Sequence, residues 1–143
     1  MNIRGACHCG NMSYQLDWPG EMSRIPVRAC GCDFCTMRGA TYTSRRDASL
    51  DAVIYDPDDL SKYRFGTETA DFYVCSRCGA VPFVTSRIEG RLYAVVNVHT
   101  FQNIDRSVFQ RAETDFDGES TENRLDRRAR TWIPKVAIRE GGP

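Results

Sequence analysis

The sequence carries no surplus of either charge: 19 Lys and Arg residues stand against 19 Asp and Glu. That balance argues against nucleic acid or an anionic membrane as a partner, because both are held by a net or strongly localised positive field. Long apolar runs are missing as well. No stretch approaches the ~18 apolar residues of a membrane span, and the opening MNIRGACHCGN holds no apolar core of a secretion signal. The expectation is a cytoplasmic protein whose thiols stay reduced. Internal repeats, low-complexity tracts and Pro/Gly/Ser-rich linkers are absent too, so 1–143 is expected to be one domain. A chain of this length buries a core without needing cross-links.

Helical periodicity is scarce, and strand patterns take its place. NMSYQLDW alternates through Met12, Tyr14, Leu16 and Trp18, the period-two mark of a half-buried strand. IPVRAC, ATYTS and DAVIYD are short β-rich runs bounded by Gly, Pro and Asp. VPFVTSRI and RLYAVVNVHTF read as hairpin arms around Glu89-Gly90, with ADFYVC entering as a third arm. One helix is expected late, in GESTENRLDRRARTWIP, capped by Ser120 or Thr121 and bounded by Pro134. Its Arg124, Arg127, Arg128 and Arg130 read as a solvated basic face, since no aromatic residues are interleaved with them. The fold class is all-β, built from small antiparallel sheets with one short C-terminal helix.

Against this spare background stand seven cysteines in three groups: Cys7-x-Cys9, Cys30-x-Cys32-x-x-Cys35 and Cys75-x-x-Cys78. Sulfurs on one turn converge on a zinc ion at ~2.3 Å. Gly10 and Gly79 follow two of the groups and permit the positive φ that folds backbone N–H groups around thiolates. An odd count without an export signal disfavours disulfides, and Cys75-x-x-Cys78 lacks the βαβ context of a redox motif. Seven thiolates also do not divide into two four-cysteine iron–sulfur clusters. The simplest division puts Cys7, Cys9, Cys75 and Cys78 on one closed structural zinc. Cys30, Cys32 and Cys35 then hold a second zinc with an open position, the arrangement of a catalytic site. His8 or His99 could close that position and make the second site structural. His8 lies awkwardly between two ligands of the other ion, whereas His99 is freer.

GACHCGNMSY, CGCDFC and YVCSRCGAVPF, in this order and at these separations, resemble the glutathione-dependent formaldehyde-activating family, whose domain also occurs in centromere protein V. The likeness runs from about Gly5 to near His99, with a looser echo in RRARTWIPKV. It implies an Mss4-like fold of sheets packed on one another, two zinc ions, and the same ligand division. It also implies a carbon–sulfur lyase run backwards, condensing formaldehyde with the thiol of glutathione to S-hydroxymethylglutathione. Family members commonly carry His between the first two triplet cysteines and Ser or Thr after the second. Here Gly31 and Asp33 stand there, followed by the bulky Phe34. These three residues flank the open position and bear on which thiol fits.

The chemistry expected of the triplet is simple. A substrate thiol entering the open position loses its proton, as a coordinating thiol does, and adds to formaldehyde held beside it. Arg28 and Arg38 flank the triplet as candidate partners for substrate carboxylates. Asp33 is a candidate for proton transfer or for binding a substrate amine, and His99 for a further substrate contact. Two other functions remain open from sequence: a zinc-stabilised binding module, and a small-thiol carrier without turnover.

Overall fold

The computed structural model describes residues 1–20, 24–116 and 118–141. Among these, eleven strands form two sheets. The smaller sheet has the order β1 (Asn2–Ala6), β2 (Met12–Asp17), β5 (Ser49–Ile54), β11 (Lys135–Glu140). The larger runs β10 (Phe109–Thr114), β3 (Ile25–Cys30), β4 (Thr41–Thr43), β9 (Arg91–Asn97), β8 (Phe83–Ile88), β7 (Asp71–Cys75), β6 (Leu60–Tyr63). Most pairings are antiparallel, but β10 lies parallel to β3 and β11 parallel to β5. Among the described residues no helix is long and apolar enough to cross a membrane.

The strands form where alternation lets one side chain in two be buried. Met12, Tyr14, Leu16 and Trp18 all point inward and are at most 3 % exposed. The β8–β9 hairpin turns at Glu89 and Gly90, whose φ values of 50° and 80° are those of a type I′ turn. At Gly5 the reason is steric: a Cβ there would overlap the Tyr14 hydroxyl and the Thr100 carbonyl. Only glycine lets Tyr14 reach Thr100 Oγ1 at 2.7 Å across β1.

Alternation along the large sheet makes two cores. Phe83, Ala94, Val96 and Tyr73 of the large sheet share one core with Ile3, Leu16 and Ile54 of the small sheet. Removing a fully buried ring such as Phe83 would cost about 3–5 kcal/mol. Val84, Val95 and Tyr42 point the other way, where they meet Cys35, Ala70 and Trp132. This outer face carries both α-helices of the described residues, α1 (Asp33–Arg38) and α2 (Thr121–Thr131). α2 is the expected late helix, capped by Ser120, whose side chain accepts the Asn123 N–H. α1 is short and was not foreseen. Its N-cap is a cysteine, Cys32, where a serine or aspartate would ordinarily advertise the helix start.

Candidate metal centre and its pocket

The two cysteine groups lie on opposite faces of the large sheet. Cys7 and Cys75 belong to the core between the sheets, while Cys35 belongs to the outer one. In the first group the sulfurs of Cys7, Cys9, Cys75 and Cys78 all lie within 4.8 Å of one another. Cys7 Sγ is 3.7 Å from Cys9 Sγ, and Cys9 Sγ is 3.5 Å from Cys75 Sγ. Tetrahedral zinc with ~2.3 Å bonds separates its sulfurs by about 3.8 Å, so the spacing suits the ion. The Met12 and Cys78 amides donate to Cys7 Sγ at 3.3 Å and Cys75 Sγ at 3.4 Å. Gly10 and Gly79 hold φ of 85° and 80°, which turns each loop back toward its sulfurs.

The acidities fit a cation as well. Burial pushes the Cys7 thiol up to about 12 and raises that of Cys75. Burial also opposes ionisation of Cys78, but the amides of Ala80 and Cys9 and the neighbouring thiols bring it down to about 6. One thiolate thus forms readily. The others need a positive charge among them to follow.

In the second group Cys30 ends β3, Cys32 caps α1, and Cys35 sits in the first turn of α1. Their sulfurs also lie within 4.8 Å of one another, and among the described residues the group stops at three. The Cys35 amide donates to Cys32 Sγ at 3.4 Å, and Tyr42 Oη lies 3.4 Å from Cys35 Sγ. A hydrogen bond with Cys35, helped by the Cys32 amide and by the charge of Arg127, lowers Cys30 to about 6 against its burial. That same hydrogen bond and burial push Cys35 far up, and burial raises Cys32. An all-sulfur donor set of this kind suits a soft or borderline ion such as zinc.

The triplet opens on a cavity of about 650 Å³. Arg28 and Asp33 line it. Arg28 and Cys30 alternate to the same face of β3, which explains why both reach it. The Arg28 guanidinium donates to Ser44 Oγ at 2.9 Å, and burial and nearby Arg127 lower its pKa. Arg38 does not line the cavity: its guanidinium donates to the Gly79 carbonyl and lies 5.3 Å from the Phe34 ring centre. It therefore ties α1 to the loop carrying Cys78. His99 is also elsewhere, in a 3-10 turn after β9, 3.2 Å from Thr41 Oγ1. Thr41 and Tyr42 are successive on β4 and point to opposite faces, so His99 lies across the sheet from the triplet. His8 is exposed between Cys7 and Cys9 and belongs to neither sulfur group.

The expectation for the basic helix is corrected. Arg124, Arg127 and Arg128 line the cavity instead of forming a solvated face, while Arg130 is exposed. Glu119 accepts both Nε and Nη2 of Arg127 at 3.1–3.3 Å, and this pairing lowers its pKa. Arg124 donates to the Phe116 carbonyl at 3.0 Å. Arg128 is 6 % exposed and donates to Thr69 and to Ser86 Oγ. Burial, then the charges of Arg124 and Arg127, bring it down to about 10. The signal available in sequence was positional: 124, 127 and 128 share a helix face with Trp132, which is buried. A second missed feature faces the same cavity. Phe34, Tyr63, Phe65 and Phe72 form an aromatic wall with ring centres 5.0–5.6 Å apart.

These features have relatives. A crystal structure of a Rhodobacter sphaeroides protein matches this fold with a TM-score of 0.58 and 27 % identity, over 78 % of this chain and 99 % of that one. The sequence model described as "Glutathione-dependent formaldehyde-activating enzyme" matches residues 2–116, a span that includes all seven cysteines and ends before α2. Two mostly antiparallel sheets with a cysteine group on each face of the larger are consistent with the Mss4-like zinc fold. The chain belongs to the glutathione-dependent formaldehyde-activating enzyme family.

Proposed function

We propose that the protein is a zinc-dependent carbon–sulfur lyase-type enzyme that joins a small thiol to formaldehyde and releases it in reverse. The observation that carries this reading is the convergence of three sulfurs, from Cys30, Cys32 and Cys35, on the wall of a cavity large enough for a small substrate. Zinc held there by the three thiolates would supply an open coordination position that favours the thiolate form of an incoming thiol. The remaining work falls to the chain. Tyr42 holds the Cys35 sulfur from the sheet side. Arg28 draws a substrate carboxylate, and Asp33, on the cavity wall, is placed to hold or move a proton. The new bond joins sulfur to the formaldehyde carbon, and the thiol proton ends on the former carbonyl oxygen. Cys7, Cys9, Cys75 and Cys78 would hold the structural zinc. We take the whole chain, 1–143, as one unit for this activity.

The test is metal content together with rate. Elemental analysis is expected to give two zinc ions per chain. Adduct formation from formaldehyde and a thiol, glutathione included, should exceed the spontaneous rate. Cys32→Ser should leave a folded protein with one zinc and no acceleration. Full acceleration by that variant would overturn the reading. A wild-type protein with two zinc ions and no acceleration would make it a binding module or carrier.

A further inference from the structure

We propose that the cavity beside the triplet selects a monoanionic thiol with an aromatic or bulky apolar body. Its carboxylate would sit among the arginines of α2 and Arg28, and its body against the aromatic wall. The inference rests on the functional reading above and names the substrate class of that same site.

Four observations carry it. First, the guanidinium groups of Arg28, Arg124, Arg127 and Arg128 line the cavity. Arg128 is 94 % buried by its 6 % exposure, and its Nε has no hydrogen-bond partner among the described residues; the same holds for Nε of Arg124. Both Nε atoms are shielded from solvent, and Nε of Arg124 stands 3.8 Å from Glu119 Oε1. Second, the neighbours of two arginines are neutral. Arg28 bonds Ser44 Oγ, and Arg128 bonds Thr69 Oγ1 and Ser86 Oγ. Glu119 is already engaged by Arg127 on both of its oxygens.

Third, the charges leave room for one anion. Four guanidinium groups line the cavity against two carboxylates, Asp33 and Glu119, among the described residues. A divalent ion on three thiolates adds one negative charge, so a single positive charge remains for the ligand. Arg128 stays protonated at neutral pH even at about 10. Fourth, part of the lining is apolar: Phe34, Phe65 and Phe72 are half-buried and line the same cavity with Tyr63. Tyr63 is 46 % exposed, and its ring packs on Phe34 and Phe65 instead of a core. Exposed aromatic clusters of this kind mark ligand surfaces. Glutathione matches the net charge but brings no apolar group to cover these rings. The helix α2 itself lies beyond the span that the family model matches.

The experiment uses probes without a thiol, so that it reads the subsite and not the chemistry. In calorimetric titration of the zinc-loaded full chain, 3-phenylpropionate should bind saturably. Propionate, which lacks the ring, and 3-phenylpropanol, which lacks the charge, should each bind about ten-fold more weakly. Arg124→Gln and Arg28→Gln should each weaken 3-phenylpropionate by about ten-fold and leave 3-phenylpropanol unchanged. Phe65→Ala should weaken both aryl probes. Arg128→Gln is avoided as the sole variant, since Arg128 also holds Thr69 and Ser86 in place. Equal binding of 3-phenylpropionate and 3-phenylpropanol, or no effect of the arginine variants, overturns the proposal. Cys32→Ser separates the two readings. It should keep 3-phenylpropionate binding while losing thiol chemistry. Retained thiol chemistry in that variant would defeat the functional reading and leave the subsite standing.

Discussion

Cys32 accepts the Cys35 N–H as the N-cap of α1 while its own sulfur converges with those of Cys30 and Cys35. The side chain is thus a helix cap and a candidate ligand at once. The two roles separate by substitution. Serine keeps an oxygen that caps the helix, whereas alanine has no acceptor. Cys32→Ser and Cys32→Ala should therefore lose the same metal, but the alanine variant should be less stable by about 1 kcal/mol in urea denaturation. Equal stability of the two would show that the cap contributes nothing. The same dual use hid α1 from sequence reading, because cysteine is not among the usual capping residues.

At the scale of the element, α2 decides what the triplet faces. Its apolar content is low, and arginines occupy the face that would ordinarily carry leucines. Arg128 stacks its guanidinium over Trp132 with 4.9 Å to the ring centre, and Arg127 lies 3.6 Å from the ring centre of Phe116. Glu119 fastens the helix start by pairing with Arg127 and standing 3.8 Å from Arg124. The Glu119 carboxyl is held below its ordinary value of 4.5, chiefly by its hydrogen bonds from Arg127. A depressed carboxylate stabilises the folded state above its unfolded pKa and loses that contribution as pH falls through the folded value. Wild-type stability should thus decline more steeply below about pH 4.5 than that of Glu119→Gln, which has no such titration. Denaturation midpoints measured from pH 6 down to pH 3 check this. Parallel declines would remove the Glu119–Arg127 pair from the account.

At the scale of the molecule, the two cysteine groups have unequal structural weight. The four-cysteine group joins the turn after β1 to the turn after β7, and Cys7 and Cys75 stand inside the core shared by the sheets. The triplet lies within the short span from the end of β3 to the first turn of α1. Metal binding at a site that does not exist in the unfolded chain becomes folding free energy. Cys75→Ser should therefore lose cooperative unfolding, while Cys32→Ser keeps it with a lower metal content. Circular dichroism melts with parallel zinc analysis would show this. A Cys75→Ser protein that is metal-free and melts as the wild type does would sink the assignment. Arg38 bridges the two regions through the Gly79 carbonyl, so the loop of one group helps seat the helix of the other.

Some of this was determined by sequence alone. The spacing of the cysteines set which sulfurs share a turn, and alternation set the inward face of β2, because both are properties of a few adjacent residues. The β8–β9 turn followed from Glu89-Gly90 for the same reason. What the tertiary structure alone decided was long-range. The parallel pairings of β10 with β3 and of β11 with β5 join segments some 80 residues apart, and no local pattern encodes them. His99 was removed from the triplet by the pleat of β4. The arginine face of α2 became a cavity wall because Trp132 docks on the outer face of the large sheet. A helix face reads as solvated or buried only once its neighbour is known. That neighbour is supplied by packing, not by the helix's own eleven residues.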